Sequence, residues 1–207
     1  MEKLHIDLAE RGYDITVGHG LIENAGELLG IKGKALIVTD SGVPREYADA
    51  VKKSTGALDI ITLEEGEGTK SIEGFTRVLT AMVGARLTRS DCVIAVGGGV
   101  IGDLTGFAAA SYMRGIAFYN IPTTVLSMVD SSIGGKCAIN FEGIKNIVGA
   151  FYQPRGVLID TDTLKTLDKR QAVAGLCEAL KMALTSEEKL FTLFEEKSYE
   201  KILNDID

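Results

Sequence analysis

The 207 residues contain no tryptophan, three prolines, three cysteines and two histidines. Cys92, Cys137 and Cys177 are an odd number at wide spacing. That excludes a dense disulfide framework and a C-x-x-C metal knuckle, and it fits a reducing, cytoplasmic compartment. His5 and His19 both fall within the first twenty residues. A metal site built on histidine therefore has little to draw on, and both read as structural or surface residues. No run of about 18 apolar residues occurs, which argues against a membrane span. The opening MEKLHIDLAE carries charges where a secretory signal needs an apolar stretch. A net charge of -7 argues against a nucleic-acid partner.

What is present is glycine, 24 residues of it. Many glycines with few prolines point to tight turns and close backbone approach rather than a disordered linker. Strand and helix signals then alternate along the chain. KLHIDLA and YDITVG alternate in polarity and predict an N-terminal hairpin. NAGELLG predicts a short helix. KALIVTD, LDIITL, DCVIAVG and IAFYNIP are short apolar runs that read as buried strands. PREYADAVKKS, with Pro44 near its first turn, reads as a helix. So does SIEGFTRVLTAMVGARL, with Ser71 as its N-cap. IGDLTGFAAASYM follows as a third. Strands of this kind between helices mean an α/β fold: a mostly parallel, Rossmann-like sheet covered on both faces.

From Asp160 onward charged residues become denser, and 169–184 and 186–206 read as helices. We divide the chain into an α/β domain, 1–160, and the beginning of an all-helical domain, 161–207. The second piece is too short to bury a core alone. The stripe Leu190, Phe194, Ile202 is expected to expose apolar surface and promote association.

In parallel α/β sheets ligands bind beyond the carboxyl ends of the strands. Asp40, the EGEGTK loop, the glycine cluster and Thr123-Thr124 all lie at such ends. Gly97, Gly99 and Gly102 satisfy G-x-G-x-x-G between a strand and a helix, where backbone N–H groups suit a pyrophosphate. No acidic residue ends the next strand, so the carboxylate for a ribose falls to Asp40 or Glu67. The stretch IPTTVLSMVDSSIGGKCAIN gathers Asp130, Ser131, Ser132, Gly134, Gly135, Lys136 and Asn140. With Lys145 and Asn146 just after it, this segment suits an anionic, hydroxylated ligand. Glu178 and Lys181, three apart on one helical face, read either as a surface ion pair or as a metal carboxylate beside a substrate lysine.

GGGVIGDLTGFAAASYMRG, IPTTVLSMVDSSIGGKCAIN, KNIVGAFYQP, DTLKTL and GLCEALK, in this order, closely resemble the 3-dehydroquinate synthases. These are sugar-phosphate cyclases of the shikimate pathway, in which NAD and a zinc or cobalt ion turn 3-deoxy-arabino-heptulosonate 7-phosphate into 3-dehydroquinate and phosphate. The resemblance implies that NAD meets Asp40, Glu67 and Lys70, then Gly99, Val100, Ile101, Gly102 and Asp103, then Thr123 and Thr124. Lys136 and Lys145 would meet it too, with Thr163, Leu164, Lys165 and Thr166. It implies that Asp130, Lys136, Lys145 and Asn146 line the cleft where substrate and nicotinamide meet, that Lys181 reaches the substrate, and that Glu178 is a zinc ligand. Arg114 resembles an arginine lent to a neighbouring subunit, which implies a homodimer. Cys137, Ala138 and Ile144 depart from the family pattern. The family's zinc histidines have no counterpart here, so the 207 residues are expected to bind NAD without synthase activity. The rival expectations are a cyclase for another phosphorylated sugar and a non-catalytic NAD-binding protein.

Overall fold

In the computed structural model, residues 1–186, 188–198 and 201–202 are described. Nine strands run β1 (Glu2–Ile6), β2 (Tyr13–Gly18), β3 (Ala35–Asp40), β4 (Asp59–Leu63), β5 (Cys92–Gly97), β6 (Ala117–Pro122), β7 (Lys136–Phe141), β8 (Ile144–Phe151) and β9 (Gly156–Asp160). The helices between and after them are α1 (Ala25–Leu28), α2 (Arg45–Thr55), α3 (Ile72–Gly84), α4 (Gly99–Ser111), α5 (Lys169–Ser186) and α6 (Glu188–Glu196). No helix among the described residues is long and apolar enough to cross a membrane.

Seven strands form one sheet in the order β1-β2-β9-β6-β5-β3-β4. The expected hairpin pairs β1 with β2 antiparallel, and every other pairing in this sheet is parallel. Every residue of β5 is buried, as a central strand covered on both faces requires. Alternation then divides the core in two. Leu36, Val38, Val93, Ala95 and Phe118 pack toward Val78, Met82 and Leu104 of α3 and α4. Ile37, Ile94, Val96, Ile121 and Leu158 pack toward Ala25, Ala48 and Val51 of α1 and α2. The chain leaves β3 for β4 on one side and returns to β5 on the other. The topological switch point therefore lies between β3 and β5, where a crevice opens.

Ser71 caps α3 as expected, its Oγ accepting from Gly74 N at 3.3 Å. Pro44 lies beside the first turn of α2, at its N-cap. Helix α4 is apolar all round because it is covered twice, by the sheet and by β7–β8. A Cβ on Gly106 would lie 2.3 Å from Cys137 Sγ, so a bare backbone is what lets the hairpin sit there.

The β7–β8 hairpin is a separate antiparallel sheet that the strand patterns did not foretell. Its register runs regularly from Lys136↔Phe151 to Ile139↔Val148 and then slips to Phe141↔Ile144. Asn140 alone thus faces Lys145, Asn146 and Ile147. Of the departures from the family pattern, Cys137 is core, Ala138 backs onto Gly149, and Ile144 is exposed beside the slip.

Beyond β9 the described residues are mostly helical. Helix α5 approaches the sheet through Gly175, where a Cβ would lie 2.5 Å from Leu126 N. The helix expected over 186–206 is met in part by α6; its positions 187, 199–200 and 203–206 lie outside the described residues. Leu190, Phe194 and Ile202 are half-buried.

Candidate nucleotide-binding cleft

A cleft of about 610 Å³ opens at the carboxyl ends of β3, β5 and β6. It gathers residues far apart in sequence: Asp40, Glu67, Lys70, Gly99, Val100, Asp103, Thr123, Thr124, Asp130, Lys145, Asn146, Thr163 and Thr166.

Asp40 ends β3, where its Oδ1 accepts from Gly42 N at 2.9 Å. Burial pushes its carboxyl up, and the Glu65 charge adds to that. The α4 N-terminus follows β5 directly, with Gly98 at the N-cap and no side chain capping it. A Cβ on Gly99 would sit 2.7 Å from Ser131 Oγ. That hydroxyl is buried and has no hydrogen-bond partner in the structure. Bare amides and an unsatisfied hydroxyl thus face the same opening, an arrangement that suits an anion.

Lys70 is 5% exposed, an unusual place for a lysine. Its Nζ contacts Asp103 Oδ2 on the first turn of α4 and donates to Asn146 Oδ1 at 2.5 Å. Burial pushes the Asp103 carboxyl up, and the hydrogen bond from Lys70 opposes it. Lys136 is exposed, with its Nζ 3.4 Å from Asp130 Oδ1. On the far wall Tyr47 OH and Thr166 Oγ1 lie 2.8 Å apart, joining α2 to the turn before α5.

Other sequence-derived residues stand elsewhere. Ile101 is fully buried in the core, and the Ile101 and Gly102 amides donate back to Gly98 O. Leu164 packs against the cluster of Tyr13, Ile15 and Ile159, while Lys165 pairs with Asp162 at 2.8 Å. Lys181 Nζ contacts Glu178 Oε1 on α5. No group of three or more His, Cys, Asp or Glu side chains placed to hold a metal occurs among the described residues. His5 pairs with Asp14 at 2.7 Å, and His19 lies 3.2 Å from Asp162, both at the surface. Arg114 is exposed at the far end of α4. From Asp103, the last α4 residue on the cleft, eight residues run to the helix end at Ser111, about 12 Å of rise.

Sequence reasoning did not single out Tyr47, Leu126, Gln171 and Ala174, which also line the cleft. They sit on helices or turns whose facing is set by packing, and no local motif marks them.

Comparison with known proteins gives this geometry a lineage. A family model described as the N-terminal part of 3-dehydroquinate synthase matches residues 60–174. The 3-dehydroquinate synthase of Rhizobium etli is 46% identical over 94% of this chain and 54% of its own length. That of Alkaliphilus metalliredigens is 44% identical over 95% of this chain and 56% of its own. The chain thus spans about half the length of these curated relatives. Among solved structures, 2-epi-5-epi-valiolone synthase from Streptomyces hygroscopicus, with NAD+ and Zn2+ bound, superposes with a TM-score of 0.82. It is 33% identical and is matched over 89% of this chain and 52% of its own. On the family match and these identities together, the chain belongs to the 3-dehydroquinate synthase family.

Proposed function

We propose that the cleft binds NAD and that the protein serves as a 3-dehydroquinate synthase in the cytoplasm, converting 3-deoxy-arabino-heptulosonate 7-phosphate to 3-dehydroquinate and phosphate. The observation that carries this is the convergence, in one switch-point crevice, of the uncapped α4 N-terminus, the unsatisfied Ser131 hydroxyl and the Lys70–Asp103–Asn146 cluster.

The residues present fit the dinucleotide. Asp40 accepts hydrogen bonds from ribose hydroxyls. The amides of Gly99 and Val100, with the hydroxyls of Thr123, Thr124 and Ser131, receive the pyrophosphate. Thr163 and Thr166 close the opposite wall. When bound, the nicotinamide supplies a reversible hydride acceptor for a ring hydroxyl. Lys136, Lys145 and Asn146 gather on the hairpin side beside Asp130, where cations and an amide orient a phosphorylated sugar acid. There the ammonium groups offset the charge that grows on the departing phosphate.

A catalytic zinc needs about three protein ligands. Glu178 offers one carboxylate, already against Lys181. The described residues alone do not fit the ion, and no step is assigned to it. In this reading residues 1–160 form the NAD-binding domain and 161–207 open the helical metal and substrate domain, with Lys181 turned to substrate.

The protein acts as a homodimer in the same reading. Arg114 lies in the turn beyond the far end of α4, away from its own cleft, and it stands exposed for a partner's. Among the described residues strand β8 pairs with β7 alone and leaves Ile147 57% and Phe151 83% exposed. Ile147→Lys is expected to lower the dimer fraction in sedimentation without shifting Tm.

The test is calorimetric titration with NAD, followed by phosphate release from the heptulosonate phosphate with NAD and zinc. Saturable NAD binding that Asp40→Ala abolishes, with no phosphate release by these 207 residues, is the expected outcome. Failure to bind NAD overturns the reading. Release at an enzymatic rate would overturn the ligand count. The superposition on the valiolone synthase favours a second reading, a cyclase for another phosphorylated sugar. Calorimetric titration of the NAD-loaded protein with each sugar phosphate separates the two.

A further inference from the structure

Asn140 does not line the cleft, yet three of its groups are committed to residues that do. Its Nδ2 donates to Glu67 Oε1 at 2.8 Å. Its Oδ1 accepts from Asn146 N at 2.9 Å. Its backbone N–H donates to Lys70 O at 2.8 Å. Asn146 Oδ1 then accepts from Lys70 Nζ, which closes the ring.

The local geometry explains why an amide stands here. Across from Asn140 the β8 ladder slips, so Asn146 N–H loses the strand partner a regular register would give it. Asn146 also takes the left-handed conformation, φ 55°. An orphaned amide on a strained residue would let the loop relax. The Asn140 carbonyl oxygen takes that N–H, while its NH2 reaches the opposite way to a carboxylate. Few side chains both accept and donate at this span. Aspartate would set one carboxylate against another, and alanine would leave both partners unmet.

We propose that Asn140 is the positioning residue of the cleft. It holds the β8 bulge that presents Lys145 and Asn146, and it ties that bulge to the Glu67–Lys70 strap, so that groups from both walls keep one register. The proposal deepens the NAD reading above and rests on it for its ligand. The locking of Asn146 is a statement about the protein alone.

Two variants and two kinds of readout test it. The first readout needs no ligand: amide hydrogen exchange at Asn146, followed by NMR. Asn140→Ala is expected to speed exchange there at least about tenfold, with only a small fall in Tm, because the two side-chain hydrogen bonds lost both lie at exposed positions. The second is NAD titration. Asn140→Ala is expected to weaken NAD about 10- to 100-fold. Asn140→Asp should be as weak at pH 8, where two carboxylates meet. It should recover toward wild type at acidic pH, as the introduced carboxyl takes a proton and becomes a donor again. The charged groups near that pair are Lys70, which holds Asn146, and Asp103, which feels the charges of Glu67 and Lys136; all are common to wild type and variant. Unchanged Asn146 exchange in Asn140→Ala overturns the proposal. So does NAD affinity lost equally at both pH values in Asn140→Asp, with a matching fall in Tm, since that marks a merely structural bond. Wild type that fails to bind NAD sinks the reading of the cleft instead, and the exchange measurement then decides the positioning role alone.

Discussion

From Ala35 to Thr39 every residue of β3 is buried, whereas β8 leaves Lys145, Asn146, Ile147 and Phe151 in solvent. The sheet is held by apolar area removed from water, a force without direction that tolerates small shifts. The hairpin buries Cys137 and Ile139 against α4, but its open end is held by directed hydrogen bonds to Lys70 and Glu67. Both regions contribute to the same cleft. The sheet supplies fixed strand ends, and the hairpin supplies groups that must be aimed. The difference teaches that stability and aim can be separated by substitution.

The largest effect should come from the core. Phe118 is 2% exposed, and its ring lies 3.2 Å from where a Gly106 Cβ would be. Phe118→Ala is expected to cost about 3–5 kcal/mol in urea denaturation. Phe151→Ala, on the hairpin's open face, should stay within about 0.5 kcal/mol. Similar costs for the two would erase the contrast.

Lys70→Met comes next. It leaves the Asp103 carboxylate buried without its counter-charge, at about 3 kcal/mol. Asp103 already has its carboxyl pushed up by burial. Without Lys70 the pKa rises further, so the ionised form is the one penalised. The loss should be fullest at neutral pH and shrink as pH falls and the carboxyl takes a proton. Adding Asp103→Leu should restore most of the stability and none of the NAD binding, which separates fold from aim directly.

Gly106→Ala probes the seam between the regions. The new methyl would meet Cys137 Sγ at 2.3 Å and is expected to cost about 1–3 kcal/mol. Cys137→Ala in the same chain removes the sulfur and leaves the Cys137 Cβ position at 3.2 Å. The double variant should therefore be more stable than Gly106→Ala alone, a non-additivity readable in thermal melts.

The smallest effect is at Asp40. Its carboxyl is raised by burial above the ordinary 3.8. The fold therefore loses stability as pH rises from 3.8 through the raised value. Asp40→Asn removes that cost. It should melt slightly above wild type at pH 7, converge with it as pH falls toward 3.8, and bind NAD poorly throughout.

The sequence was most readable where one local cause dominated. The runs ALIVT and CVIAV announce strands buried on both faces, and Ser71 three residues before Gly74 announces a cap. Polar residues just past such runs, Asp40, Thr123 and Thr124, were legible as cleft residues for the same reason. The hairpin was not, because KCAINF and IKNIVGAF carry no clean period, and their register is fixed by α4 and by a slip opposite Asn140. Tyr47 and Gln171 escaped notice because a helix pattern shows that a face exists without showing what it looks at.

One consequence is practical. Cys92 and Cys137 are buried, and burial pushes both thiols up to about 12. At neutral pH they present almost no thiolate to an alkylating reagent. Cys177 is exposed, on α5 next to Glu178. A maleimide dye should therefore mark the wild-type chain once, at Cys177. The protein comes with a single built-in reporter on α5, the helix whose approach to Leu126 a fluorophore could follow as ligands enter.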